Sequence, residues 1–167
     1  MNKQGLGFLR VNIGNDLRMH IWDDALEYPN VSKMHNHSWD LQSKIVCGTI
    51  YNHRFAYNPA GQPYLRRRLR CGVGCEWVGN PELVHLSPLP IQKLLSGQMY
   101  FQHANEIHIT QAVPGTITLM HRKYDGPNGE ADIFWELGKE WGTAEPHEAT
   151  AEEIETAIKK SLLLMFQ

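Results

Sequence analysis

The sequence lacks an excess of charge of either sign, and it lacks long hydrophobic runs. Its 167 residues include 16 Lys and Arg against 18 Asp and Glu, a formal net charge of -2. That balance provides no basic field to recruit nucleic acid or an anionic membrane surface. No stretch approaches the roughly 20 apolar residues of a membrane span, and residues 1–10 carry no secretory pattern. We therefore expect no nucleic-acid partner and no membrane partner.

Cysteine is also scarce, with only Cys47, Cys71 and Cys75. An odd number of thiols cannot pair completely within one chain. A chain of this length can bury a core large enough to fold without disulfides. We therefore predict reduced thiols and a cytoplasmic location. The length also predicts one domain over residues 1–167.

The chain does contain many short apolar and β-branched runs separated by turn residues. Residues 8–13 and 17–22, split by Gly14-Asn15-Asp16, predict a β-hairpin. Similar runs occupy residues 41–51, 64–71, 83–86, 99–103, 107–111, 116–121 and 132–136. Breakers such as Asn58-Pro59-Ala60-Gly61 lie between them. The spacing predicts a mainly β fold, an antiparallel barrel or sandwich over about residues 8–137.

Only the end of the chain has a helical pattern. Thr150-Ala151-Glu152-Glu153 has the spacing of a capping box, in which the hydroxyl and the carboxylate each cap the other residue's amide. Apolar residues then recur at helical spacing, namely Ile154, Ile158, Leu162 and Met165. We predict a helix over about residues 151–165 that packs this face on the barrel. A dimer contact through the same face is the alternative.

Histidine is frequent, with nine residues. In an extended segment His35 and His37 point to the same side, since they are two positions apart. His108 stands at the centre of a later predicted strand. Neutral imidazoles with open coordination positions suit Fe(II), Zn(II), Ni(II), Cu(II) or Mn(II), whereas Ca(II) and Mg(II) prefer oxygen ligands. We predict a divalent transition-metal site on these three residues; ordinary surface or core histidines are the alternative.

This pattern resembles the two motifs of the cupin superfamily over about residues 17–123. The first motif is carried by His35, His37, an acid or amide at Asp40 or Gln42, and Gly48; the second is carried by Gly97, Tyr100, His108, Pro114-Gly115 and residues 116–121. The resemblance implies a single antiparallel β-barrel of the double-stranded β-helix type. The usual cupin acid is replaced by Leu41 and Gln42. That departure implies a three-histidine site similar to the cysteine-dioxygenase-like branch, or one to which Asp40 or Gln42 contributes.

Other side chains are candidates for contacts with a substrate. Arg66, Arg68 and Arg70 alternate along a predicted strand, so their guanidinium groups share one face. If that face looks into the barrel, Arg66 or Arg68 would bind a carboxylate or phosphate; a solvated strand face is the alternative. The remaining candidates are Tyr51, His53 and Tyr100 for substrate binding, and His103 and His121 for proton transfer.

The resemblance implies a metal-dependent enzyme, with Fe(II) as the first choice of metal. Our first hypothesis is a dioxygenase that acts on a small acidic or thiol-bearing metabolite. The second is a non-redox isomerase, epimerase or lyase that uses Zn(II), Ni(II) or Mn(II). The third is a non-catalytic binding or sensor module. The expected partners are a small anionic substrate and, in a homodimer, a second copy of the chain.

Overall fold

The part of the chain that the structure describes forms two antiparallel sheets and one C-terminal helix. The computed structural model describes residues 2–4, 8–23, 33–71, 75–123, 129–139 and 147–165. The elements are β1 (Asn2–Gln4), β2 (Phe8–Asn12), β3 (Leu17–Trp22), β4 (Asp40–Cys47), β5 (Thr49–Cys71), β6 (Cys75–Pro88), β7 (Gln92–Leu95), β8 (Met99–Gln102), β9 (Ile107–Ala112), β10 (Ile117–Lys123), β11 (Glu130–Glu136), β12 (His147–Glu148) and α1 (Ala151–Met165).

The first sheet has the strand order β12-β1-β2-β3-β10-β4-β8. The second has the order β11-β5-β6, and β7 and β9 also pair with β5. The predicted mainly β, antiparallel fold with a C-terminal helix is confirmed, and its assignment to the cupin type stays a prediction. The assignment of residues 1–167 to one domain stays a prediction.

The predicted β2–β3 hairpin has two different faces. Leu9 pairs with Ile21 in the register, and both side chains pack under Ala157 of α1. Phe8 pairs with Trp22, and these two belong to a core cluster that includes residues of both sheets. Because side chains alternate along a strand, the helix covers the outer face while the inner face turns toward the second sheet.

The predicted helix and its capping box are confirmed. The Thr150 amide donates to Glu153 Oε2 over 2.9 Å, and the Glu153 amide donates to Thr150 Oγ1 over 3.2 Å. Among the described residues, no helix combines the length and apolar character needed to cross a bilayer.

Among the described side chains, the face that the helix buries matches the predicted one only at Ile154, which packs against the cluster of Leu9, Ile21 and Ala157. Ala157 and Ser161 are buried, whereas Ile158 and Leu162 are 40% and 47% exposed. Small side chains allow a close approach to the sheet. The Met165 side chain lies outside the described residues.

The predicted break at Asn58-Pro59-Ala60-Gly61 is wrong, because β5 continues through it for 23 residues. The β5–β6 register shifts between Tyr57 and Gln62, which marks an irregularity in the pairing. Asn58 Oδ1 accepts a hydrogen bond from the Ala60 amide over 3.0 Å, and its Nδ2 donates to Ser87 Oγ over 2.9 Å. Turn-forming residues thus build a bulge within the hairpin.

Candidate metal centre

The segment that carries His35 and His37 is held between two strands by backbone hydrogen bonds. The His35 amide donates to the His108 carbonyl over 3.1 Å, and the His108 amide donates back over 2.9 Å. On the other side, the Asn36 amide donates to the Asp132 carbonyl over 3.0 Å. Asn36 also accepts from the Asp132 amide through its Oδ1 over 2.6 Å. The chain is therefore extended here, so His35 and His37 lie on one side and Asn36 on the other.

The structure brings the three predicted histidines together. The ring centroids are 4.7 Å apart for His35 and His37, 4.4 Å for His35 and His108, and 5.1 Å for His37 and His108. One potential ligand nitrogen from each ring lies within 4.8 Å of the others. His108 is buried, and the other two are half-buried. The three rings can therefore converge on a single ion.

The environment favours the neutral form of these rings, which is the form that binds a metal. Burial lowers the pKa of His35, and it lowers the pKa values of His37 and His108 well below the usual range. Charge repulsion from His35 lowers both of the latter further. His35 Nδ1 lies 2.7 Å from the Lys33 carbonyl, to which it donates when protonated. Its Nε2 then keeps a free lone pair for a metal.

Two neighbours orient the histidine rings. The Gln102 amide nitrogen is 2.5 Å from His108 Nδ1, and Gln102 Oε1 accepts from Asn52 Nδ2 over 3.4 Å. All three side chains are buried. The Trp39 ring stacks on His37, with the centroids 4.2 Å apart and the planes at 28°. Packed and hydrogen-bonded surroundings of this kind fix the direction in which a ligand ring points.

The three histidines line a cavity of about 130 Å³ between the two sheets. Its apolar and aromatic walls are Phe8, Trp22, Trp39, Leu41, Ile50 and Met120. Its other polar residues are Arg10, Arg18, His20, Ser43, Tyr100, Thr110 and Thr118. The volume suits a small molecule that is largely enclosed by apolar side chains, as is usual for ligand sites.

Sequence reasoning missed three basic residues of this cavity, Arg10, Arg18 and His20. They share the inner face of the β2–β3 hairpin with Phe8 and Trp22. Because side chains alternate along a strand, counting in steps of two from Phe8 and from Trp22 could have found them. Burial and the nearby arginines lower the pKa of His20 to about 3. His20 is therefore a neutral imidazole at pH 7.

Tyr100 is the predicted substrate-binding residue that lines the cavity. Burial raises the pKa of its hydroxyl, while a hydrogen bond with Ser43 acts in the opposite direction. At neutral pH the hydroxyl therefore keeps its proton and is a potential proton donor inside the cavity.

Asp40 and Gln42, the predicted fourth ligands or ligand supports, have other partners. Asp40 Oδ1 accepts from the Ala104 amide over 2.8 Å and lies 3.6 Å from His103 Nδ1. Gln42 Nε2 is 3.6 Å from Met99 Sδ. Neither residue lines the cavity. Within the described part of the chain, the ligand group consists of the three histidines alone.

Arg66 and Arg68 are placed with acidic residues, outside the cavity lining. Arg66 pairs with Glu82, and its Nη1 donates to Tyr57 Oη over 3.2 Å. Arg68 Nε donates to Asp132 Oδ1 over 3.2 Å. Their alternation in the sequence correctly predicted that these arginines share one face of the strand. It could not specify that acids occupy the same face.

The remaining candidates also lie outside the cavity lining. The Lys93 ammonium lies 5.8 Å from the centre of the Tyr51 ring. His53 pairs with Ile109 across the β5–β9 ladder, and alternation along β5 places Tyr51 and His53 on the face opposite Ile50, which lines the cavity. His103 and His121 are exposed.

Comparison with known proteins found no matching family model and no matching curated protein. One solved structure with a similar trace is hydroquinone 1,2-dioxygenase from Sphingomonas sp. TTNP3 with 4-hydroxybenzoate bound. It has 14% identity and a TM-score of 0.40, and the alignment covers 72% of this chain and 66% of that one, just under two thirds. Another is hydroquinone 1,2-dioxygenase PnpCD in complex with Cd2+ and 4-hydroxybenzonitrile, with 16% identity, a TM-score of 0.42, and coverage of 75% and 67%.

Similarity at this level concerns the path of the chain, so the chemistry of the site follows from its own residues. Those residues form a group of three neutral histidines without a carboxylate, at the wall of a small and mostly apolar cavity between two antiparallel sheets.

Proposed function

We propose that this chain is a metal-dependent enzyme of the cupin type, an Fe(II) dioxygenase that acts on a small organic metabolite. The observation that carries the proposal is the convergence of His35, His37 and His108 at a cavity wall, with one nitrogen of each within 4.8 Å of the others. Three protein ligands leave coordination positions open, which is typical of a catalytic site, whereas structural sites are usually closed by four.

The donor set fits such a metal. All three rings are kept neutral by burial, and His35 Nδ1 faces a carbonyl so that Nε2 remains available. Imidazole nitrogen suits Fe(II), Zn(II), Ni(II) and Mn(II). When bound, such an ion supplies a Lewis acid and, in the case of iron, a redox centre.

The chain's own side chains then supply position and a dry environment. Phe8, Trp22 and Ile50 exclude water from one side of the cavity. Gln102 and Trp39 hold the rings of His108 and His37, respectively. Tyr100 retains a proton at its hydroxyl, where it can be donated to a bound substrate.

That protonated tyrosine also favours a second candidate, a non-redox isomerase or lyase. In such a reaction a polarised carbonyl accepts a proton from a nearby acid, and Tyr100 is an acid that faces the cavity. Dependence on oxygen separates the two candidates, since turnover under anaerobic conditions requires the non-redox reaction.

The test is to purify the chain without a histidine tag and to measure bound metal by elemental mass spectrometry. Near-stoichiometric iron that is lost in His35→Ala and His108→Ala supports the dioxygenase. Zinc, nickel or manganese lost in the same way moves the assignment to the non-redox enzyme. His53→Ala and His121→Ala, which lie outside the cavity lining, are the matched controls and should retain metal. No metal after reloading contradicts both enzymes and leaves a binding module.

A further inference from the structure

The inner face of the β2–β3 hairpin places two guanidinium groups in the wall of the histidine cavity. Arg10 and Arg18 both line it. Arg10 stands opposite His20 in the β2–β3 register, and Arg18 stands opposite Asn12, two residues further along β2. The two arginines are thus diagonal neighbours on one face of a sheet, a spacing that long side chains can bridge.

Arg10 and Arg18 lack the acidic partners that four other arginines have, namely Arg66, Arg68, Arg70 and Arg122. Arg66 and Arg68 pair with Glu82 and Asp132, and Arg122 Nη2 is 3.3 Å from Asp16 Oδ1. Across the described ranges, neither Arg10 nor Arg18 has a carboxylate oxygen within 4.0 Å.

No described carboxylate therefore forms an ion pair with either guanidinium group, although the charge of Asp16 acts on Arg18 and raises its pKa. Arg10 Nε is buried without a hydrogen-bond partner. Burial and the charges of Arg122 and Arg10 lower the pKa of Arg18 to about 10, so both guanidinium groups still carry their charge at neutral pH. Buried charges in proteins are normally paired, because leaving water without a counter-charge is costly.

His20 does not provide a counter-charge, since it is a neutral ring between the two arginines. No described residue supplies that counter-charge, and an anion bound in the cavity would supply it. Guanidinium forks bind carboxylate and phosphate oxygens with two parallel hydrogen bonds.

The rest of the cavity wall is largely apolar, which indicates that the ligand also has an apolar part. Phe8, Trp22, Ile50 and Met120 present aromatic and aliphatic surface to the same space. An inorganic anion would leave this surface unfilled, whereas an organic acid would cover it.

We propose that the cavity binds a small organic anion, whose carboxylate or phosphate head is held by Arg10 and Arg18 and whose apolar body lies against Phe8, Trp22 and Ile50. If the proposed function is correct, this anion is the substrate of the enzyme, so that part of the inference rests on the proposed function. Binding of the anion itself requires the arginines and does not require a metal.

The experiment is isothermal titration of the full chain with benzoate, with its neutral analogue benzamide and with phenyl phosphate. Each titration is done on chelator-treated protein and again after Zn(II) loading. We expect benzoate or phenyl phosphate to bind at least tenfold more tightly than benzamide. The tighter of the two anions identifies the head group. We expect the Arg10→Gln and Arg18→Gln variants to lose at least tenfold in affinity for it.

Two further variants keep the test decisive. Arg67→Gln is the matched control, since Arg67 donates to the Gly79 carbonyl and lies over Trp77, outside the cavity lining. Arg18→Lys retains the charge without the fork, so it should bind more weakly than the natural protein and more tightly than Arg18→Gln. Thermal melting of each variant checks its folding.

Equal binding of benzoate, phenyl phosphate and benzamide overturns the proposal, and so does unchanged binding in both Arg→Gln variants. Arginine-dependent binding in a protein that takes up no metal supports the anion site while contradicting the proposed enzyme. Metal uptake without arginine-dependent binding contradicts the anion site and leaves the proposed enzyme standing.

Discussion

Gln102 and His108 are joined by a buried contact of 2.5 Å between the amide Nε2 and the ring Nδ1. A glutamine can serve either tautomer of the ring, because rotation of its amide presents a donor or an acceptor. The same residue can therefore hold His108 before and after Nε2 takes up a metal, when Nδ1 must carry the proton.

This contact predicts that Gln102→Leu weakens metal binding by about tenfold to a hundredfold, the usual effect of removing a partner of a ligating histidine. Gln102→Glu should lose less, since a carboxylate still accepts from Nδ1. Competition with a fluorescent chelator measures both affinities. Gln111→Leu, an exposed position on the same strand as His108, is the control. Equal affinities in all of these proteins would show that Gln102 does not support the ligand.

Asn36 predicts a coupling between folding and the histidine pair. It is buried between His35 and His37 in sequence and bonds to Asp132 through its side chain. We expect Asn36→Ala to cost about 1 to 3 kcal/mol of unfolding free energy, since the Asp132 amide loses its acceptor. Metal affinity should fall with it. Urea denaturation and chelator competition measure the two effects, with exposed Asn80→Ala as control. A loss of stability without a loss of affinity would show that the two histidines keep their places independently.

His20 predicts an acid-sensitive contribution to stability. Its pKa is about 3 in the folded chain and about 6.5 when unfolded. The unfolded chain therefore binds more protons between these values, so this contribution is complete above pH 6.5 and declines as the pH falls. At pH 5 the loss amounts to about 2 kcal/mol.

The measurement is urea denaturation of metal-free protein at pH 7 and pH 5. His20→Phe keeps a ring beside Phe8 but has no titrating group. It should lose less stability between the two pH values than the natural protein, by about that amount. His121→Gln, which removes an exposed ring, should behave like the natural protein. An identical loss in His20→Phe would mean that His20 is protonated in the folded state at pH 5.

Gly48 predicts a large local effect between β4 and β5. Its φ is +85°, and an added Cβ would lie 2.8 Å from Thr116 Cα and overlap the Thr116 hydroxyl. We expect Gly48→Ala to cost about 2 to 3 kcal/mol, from the strained backbone and the clash together. Gly14→Ala has nothing within 4 Å of its added Cβ and should stay within about 0.5 kcal/mol. Similar midpoints in chemical denaturation for the two variants would contradict this reading of the Gly48 turn.

The sequence predicted the features that depend on local spacing. The hairpin of residues 8–22, the capping box at Thr150 and the shared direction of His35 and His37 all follow from neighbours a few positions apart. Features that depend on distant partners were not predictable in the same way. Arg66 shares a face with Arg68, but only the fold brings Glu82 and Asp132 beside them.

The alternation of the β2–β3 hairpin ties the chemistry of the cavity to the packing of the helix. Leu9 and Ile21 support α1 on one side, and Arg10 and His20 face the cavity on the other. A slip of one residue in either strand would exchange these sets, placing charge beneath the helix and aliphatic side chains before the histidines. A hairpin with a shifted register would therefore lose both the helix contact and the basic cavity wall. Packing of the C-terminal helix on Leu9 and Ile21 therefore requires the same strand register that places Arg10 and His20 in the cavity wall.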